Sequence, residues 1–332
     1  MAQSHQRRFR RWLANQRIEV AKAQQTLMSQ ALSTWSKQRL YLSLDTTVVW
    51  NGFCIVWVGV VYRGRTIPVA WTVVAQASSS VRLRTVQRGR RQAVRVLPSG
   101  VEVVLLADRG FADGKLMKYL TETLHWHFRI RIKRSFAFEL HGEWRKVSQV
   151  HLQAGQAYCT PAISIGKSNP YSGVYLAFAH AKLSDEDWVI VSDEPTNLQT
   201  FAQYRLRFQV EESFLDLKSN GFNLEACRLR DKFALTQLRG VIALTMLFLV
   251  LQGLQVSTSG KRRLVDPHWN RGMSYLKLGW NWIRLAITQQ WNIQLVRFLS
   301  SAPDPQPALA SKRQLDDAFK REFTVLNRIP AS

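Results

Sequence analysis

Acidic residues are scarce in this chain. It carries 23 Asp and Glu against 46 Lys and Arg in 332 residues, a formal net charge of +23. A surplus of that size makes a folded chain repel itself unless a polyanion binds it. Nucleic acid is the first partner this implies, and an anionic membrane surface the second. Cysteine is scarce too. Cys54, Cys159 and Cys227 lie far apart, which excludes a disulfide framework and a zinc pattern and points to a reducing compartment. The N-terminus is polar and basic, with no visible signal peptide. No uninterrupted apolar run has the length of a membrane span. The longest, Val241 to Val256, is broken by Gln and Gly and is expected to be a buried core helix. Internal repeats are absent as well.

What is present is a hydrophobic share of 46%, enough to build a sizeable core and to exclude a disordered chain. The basic residues recur along the length: "RRFRR" near the start, "RLRTVQRGRRQAVR" over 82–95, "RIRIKR" over 129–134 and "KRR" over 261–263. Such spacing suits a long phosphate contact better than a single targeting signal. The 12 Trp and 16 Phe are core residues by default, with some available to stack on bases.

Residues 7–38 are helix-compatible. From Arg39 three β-rich runs follow, separated by turn signals at Asn51-Gly52 and Arg63-Gly64-Arg65, and they predict an antiparallel meander. A basic helix over 80–97, a strand in "VEVVLLADRGF", a helix over 113–124 and a strand in "WHFRIRIK" come next. Residues 135–192 read as irregular and β-like, 197–219 and 232–256 as helices, and the proline-rich "SAPDPQPALA" as a loop before a short final helix.

Two carboxylates stand out in apolar strands: Asp45 in "LSLDTT" and Asp108 in "LLADRGF". A flanked strand carboxylate is costly unless paired or metal-bound. If the first and fourth strands are neighbours, the two acids approach each other, and a helical Glu packed on the sheet completes a three-carboxylate cluster suited to hard divalent cations. The segment "YRLRFQVEESFLDLK" supplies that Glu. At about 100° per residue, Tyr204, Arg207, Glu211 and Lys218 fall within roughly 60° of one another, while Glu212 points about 100° away from Glu211. Glu211 is therefore the choice over Glu212. The spacing of His125 and His127 fits a strand, but no third ligand accompanies them, so they read as structural. Asp113 reads as an early helix residue and Asp185–Asp187 as a solvated acidic turn.

The pattern Tyr204-x2-Arg207-x3-Glu211-x6-Lys218 resembles the signature helix of bacterial DDE transposases of the insertion-sequence-four type. "LDTT" and "ADRGF" are similar to the segments that carry that family's two Asp residues. The resemblance covers about 38–260. It implies a ribonuclease-H-like α/β fold: a mixed sheet of three antiparallel and two parallel strands, flanked by helices, with a β-rich insertion before the Glu-bearing helix. It implies that Asp45, Asp108 and Glu211 hold two Mg²⁺ ions, for which Mn²⁺ substitutes. Tyr204, Arg207 and Lys218 would contact DNA phosphates near the cleaved end, and Trp188 in "WVIVSDEP" would stack on a flipped base. The implied activity is metal-dependent strand cleavage and strand transfer at insertion-sequence ends. The implied partners are duplex DNA at transposon ends and target, and a second copy in a homodimeric synaptic complex. No membrane is implied, and the setting is the bacterial cytoplasm at the nucleoid.

The expected organisation is an N-terminal helical remnant of a DNA-binding region (1–38), the catalytic core (39–134 and 193–260), a β-rich insertion (135–192) and a basic helical tail (261–332). Only 44 residues precede Asp45, too few for a complete end-recognition module, so a truncated chain is expected. The competing reading is a non-catalytic remnant that binds DNA or the full transposase as an inhibitor.

Overall fold

A computed structural model describes residues 2–36, 38–81, 83–182, 187–227, 229–306 and 323–329. Arg82, Asp185, Glu186 and the final helix expected after "SAPDPQPALA" lie outside the described residues. The chain divides into two compact units. The first comprises Met1–Gln38, Asp45–Val101 and Gln209–Leu309; the second comprises Arg39–Leu44, Glu102–Phe208 and Ala310–Ser332. These units cut across the intervals expected from the sequence, since 39–134 and 193–260 each contribute to both.

In the first unit, the N-terminal segment forms two helices, α1 (Ala2–Ala14) and α2 (Val20–Leu32). The three β-rich runs are strands as expected: β1 (Arg39–Val49), whose last five residues belong here, β2 (Phe53–Tyr62) and β3 (Arg65–Ala75). β2 and β3 pair antiparallel from Phe53↔Ala75 to Tyr62↔Arg65, with one register shift at Val58/Gly59. Both strands are apolar on both faces and almost wholly buried, so helices must cover them. α3 (Leu83–Val94) packs on β2 and β3.

The second unit holds the first six residues of β1, then β4 (Glu102–Ala107), α4 (Gly114–Lys118) with a π-turn over Tyr119–Thr123, and β5 (His127–Arg131). Asp113 caps α4 by accepting from Leu116 N at 3.0 Å. β1 and β4 run parallel, from Arg39↔Glu102 to Leu44↔Ala107, and β4 and β5 are also parallel. The interval 135–192 is more regular than expected. It forms β6 (Ala137–Leu140), β7 (Glu143–Lys146), β8 (Gln156–Cys159), β9 (Ile163–Ile165), β10 (Tyr171–His180) and β11 (Asp187–Ser192). β11 joins β5 antiparallel and β10 joins β11, so these strands extend the same sheet in the order β1-β4-β5-β11-β10-β9-β6-β7. Main-chain pairing with β5 recruited them, and no sequence period reports that partner. α5 (Leu198–Arg205) covers β5, β10 and β11, with Asn197 as its cap accepting from Gln199 N at 2.8 Å.

Back in the first unit, α6 (Gln209–Lys218) packs on β3, α7 (Lys232–Thr258) on β3, α1 and α2, and α8 (Tyr275–Thr288) on α7. Among the described residues α7 is the one helix long and apolar enough to cross a membrane; 67% of its most apolar window is buried. A short last strand, β12 (Thr324–Leu326), pairs with β8 in the second unit. The architecture is thus mixed α/β, with a many-stranded mixed sheet and helices packed on it.

Candidate active site

The three expected catalytic carboxylates do not share a unit. Asp108 belongs to the second, Asp45 and Glu211 to the first. Leu44 and Ala107 are the last partners of the parallel β1–β4 ladder; Asp45 follows Leu44 within β1, and Asp108 follows Ala107 just past the end of β4. Both are half-buried. Asp45 Oδ1 accepts from Thr46 N at 2.7 Å, and Asp108 Oδ1 accepts from Gly110 N at 2.7 Å, where it caps the 3-10 turn Arg109–Phe111. Each carboxylate is thereby oriented by backbone.

The segment 197–219 is not the single helix expected. A 3-10 turn over Leu206–Phe208 separates α5 from α6. Three residues at three per turn advance about 60° further than in an α-helix, so the segment does not keep one uniform helical period. Burial records the difference. Tyr204 is 1% exposed and Arg207 7%, whereas Glu211 and Glu212 are exposed.

On α6 the acids divide by partner. Asp216 is buried and bonds Arg65 of β3; Glu212 lies 3.5 Å from the same guanidinium; Lys218 pairs with Glu225 at 3.5 Å. Glu211 is exposed in the first turn of α6. Arg65 thus ties both Glu212 and Asp216 to β3.

The second unit gathers Trp188, Tyr204 and Arg207 as one aromatic cluster. Trp188 on β11 meets Tyr204 edge-on, centroids 5.7 Å apart, and Phe208 at 5.6 Å. The Arg207 guanidinium lies 4.6 Å from the Phe208 ring centre, and that of Arg131 lies 6.0 Å from the Trp188 ring centre. Burial pushes the Tyr204 phenol up to about 12, against the opposing pull of Arg207 and Arg131. Tyr204 and Arg207 are therefore the support under Trp188, which is partly exposed.

Sequence reasoning missed a network at the opposite end of β4 and β5. Arg39 Nε donates to Glu102 at 2.8 Å and its Nη2 to Glu194. Arg129 Nη2 donates to Glu194 at 2.6 Å, and Asp193 accepts from Phe128 N at 2.9 Å and contacts His127 Nδ1 at 2.7 Å. His127 is thus structural, as expected. The signal was available in "SDEP", whose two acids meet the basic "RIRIKR" strand.

All-oxygen donors such as Asp45, Asp108 and Glu211 suit a hard divalent cation by their chemistry. Among the described residues, no group of three or more His, Cys, Asp or Glu is gathered to hold a metal ion.

Residues 58–248, more than half of the chain, match the family model described as "Transposase DDE domain". The chain belongs to that family, whose members use divalent metal ions. Asp108, Trp188, Tyr204, Arg207, Glu211 and Lys218 lie within the matched residues and Asp45 before them. No curated protein sequence matches. Among solved structures, the chain is similar to one chain of the cryo-EM structure of the piggyBac transposase synaptic complex with hairpin DNA, at 12% identity and a TM-score of 0.40. The alignment covers 89% of this chain and 59% of that one.

Proposed function

We propose that this chain is the catalytic region of a DNA transposase of the bacterial insertion-sequence-four type, built on a ribonuclease-H-like core. The family match carries the reading, and the parallel Leu44↔Ala107 register, with an Asp following each partner, supports the choice of Asp45 and Asp108. Asp45, Asp108 and Glu211 would hold divalent cations, Mg²⁺ or Mn²⁺. When bound, such ions polarise the scissile phosphate and lower the barrier to attack by water or a 3′-hydroxyl. The chain's own part is to orient carboxylates by backbone donors, to keep Glu212 away through Arg65, and to engage the DNA end. Lys218 supplies a point charge to a phosphate and Trp188 a stacking face for an unpaired base, with Tyr204 and Arg207 acting from beneath it. The reaction proposed is cleavage at the element's end followed by strand transfer into target DNA, by two copies of the chain, at the bacterial nucleoid and without a membrane.

Glu211→Gln keeps size but removes a ligand charge. It is expected to abolish Mg²⁺-dependent cleavage of end-containing duplex while DNA binding survives, and Glu212→Gln is expected to keep most activity. A dead Glu212→Gln beside an active Glu211→Gln would sink the assignment. A wild type that binds DNA and cuts none with either metal would favour the non-catalytic remnant.

A further inference from the structure

Trp269 is the most exposed large hydrophobic side chain among the described residues, at 85% of its surface. It does not sit on a loose loop. The turn that carries it is built around Arg262, which is buried and spans the loop with one guanidinium. Arg262 Nη1 donates to Asp266 Oδ2 at 3.0 Å and His268 O at 2.9 Å, and Nη2 donates to Trp269 O at 2.8 Å. Asp266, 0% exposed, also accepts from Gly272 N at 2.9 Å and contacts His268 Nδ1 at 2.6 Å. Gly272 is required there, because a Cβ would come within 2.4 Å of His268 Nδ1. A loop fixed at both ends by a buried ion pair holds a tryptophan in water at little further entropic cost on binding.

The surroundings define the ligand. From Thr258 to Pro303 the chain has seven Lys and Arg and one acid, the buried Asp266. The Arg263 guanidinium lies 5.6 Å from the Trp269 ring centre, and exposed Lys261 precedes it on the same 3-10 turn. An exposed indole flanked by cations, with no accessible carboxylate on its segment, fits a phosphate backbone bearing an unstacked base.

We propose that the Trp269 loop is a second DNA contact, in which Trp269 stacks on an unpaired or extruded base while Lys261 and Arg263 meet the flanking phosphates. This contact lies outside the residues matched by the family and needs no strand cleavage. It shares with the proposed function the premise that the chain binds DNA.

The test is fluorescence anisotropy of the full chain with three probes of one sequence: a duplex, the same duplex with a single-base bulge, and the single strand. Trp269→Ala is expected to weaken bulged and single-stranded binding about tenfold and to leave duplex binding within about twofold, with Trp269→Phe close to wild type. Arg263→Ala is expected to reduce the slope of log affinity against log salt by about one on every probe. Wild-type affinities for Trp269→Ala on all three probes overturn the inference, as does an equal loss on all three. A change in sedimentation with unchanged DNA affinity overturns it in favour of a surface for a second copy. A wild-type chain that binds no probe at low salt overturns the proposed function as well, which separates the two failures.

Discussion

Arg65 takes two of the three acids in the segment Tyr204 to Lys218, Glu212 and Asp216. Asp216 and Arg65 are both largely buried, with side chains 9% and 12% exposed. Removing one partner strands the other charge in a low-dielectric interior. Arg65→Met is expected to cost about 3–5 kcal/mol in urea unfolding. Arg239 on α7 poses the opposite problem. It is 0% exposed, none of its three side-chain nitrogens has a hydrogen-bond partner among the described residues, and its guanidinium lies 4.0 Å from the Trp57 ring centre. Desolvation pulls it down to about 9. Because the charged form is penalised on folding, Arg239→Met is expected to stabilise the chain by about 1–4 kcal/mol at neutral pH, read from the urea midpoint. A destabilised variant would mean that the stacking on Trp57 outweighs the desolvation.

Elements impose tighter tolerances than single contacts. α7 and α8 touch backbone to backbone at two glycines. A Cβ at Gly253 would lie 1.9 Å from Tyr275 O, and one at Gly279 would lie 1.9 Å from Leu249 O. Neither carbonyl can withdraw without moving a helix. Gly253→Ala and Gly279→Ala are each expected to cost about 3 kcal/mol. Gly52→Ala, whose Cβ would lie 3.7 Å from Trp50 O, is the control and is expected to be near neutral by thermal unfolding. At the sheet end formed by β1, β4 and β5, Glu194 is disfavoured by burial, yet hydrogen bonds from Arg129 and Arg39 outweigh this and hold its carboxyl below the ordinary 4.5. A lowered carboxyl stabilises above its unfolded value, and that contribution disappears as pH falls through the folded one. Glu194→Gln is therefore expected to be about 2 kcal/mol less stable than wild type at neutral pH, with the gap closing below pH 4.5. A gap that persists under acid conditions would assign the loss to packing.

For the molecule as a whole, the net charge of +23 governs how it meets DNA. Lys and Arg that neutralise phosphates release counterions, so log affinity for duplex is expected to fall linearly and steeply with log salt. A titration of anisotropy against salt that stays flat would rule out a phosphate-dominated surface.

Several features were legible before any coordinates. Alternating or continuous apolar runs with Asn-Gly and Arg-Gly turns located β1, β2 and β3, and an apolar stretch located α7, because these signals are local and repeat within a few residues. The choice of Asp45, Asp108 and Glu211 as a set rests on the family resemblance alone. Long-range pairing decided the rest. The apolar run over 187–192 does not announce that β11 lies against β5, and only the two acids of "SDEP" beside it hint at the basic strand they meet, since a strand's partner is chosen by the whole sheet. The 3-10 turn at Leu206–Phe208 is equally silent, because an i to i+3 turn and an α-helix share the same residue preferences. Tyr204 and Arg207 are buried and Glu211 is exposed, a difference that helical spacing does not report. The exposure of Trp269 was also out of reach of composition. It depends on Arg262 and Asp266 closing one loop, and a buried pair of charges becomes recognisable only when the chain that buries them has folded around it.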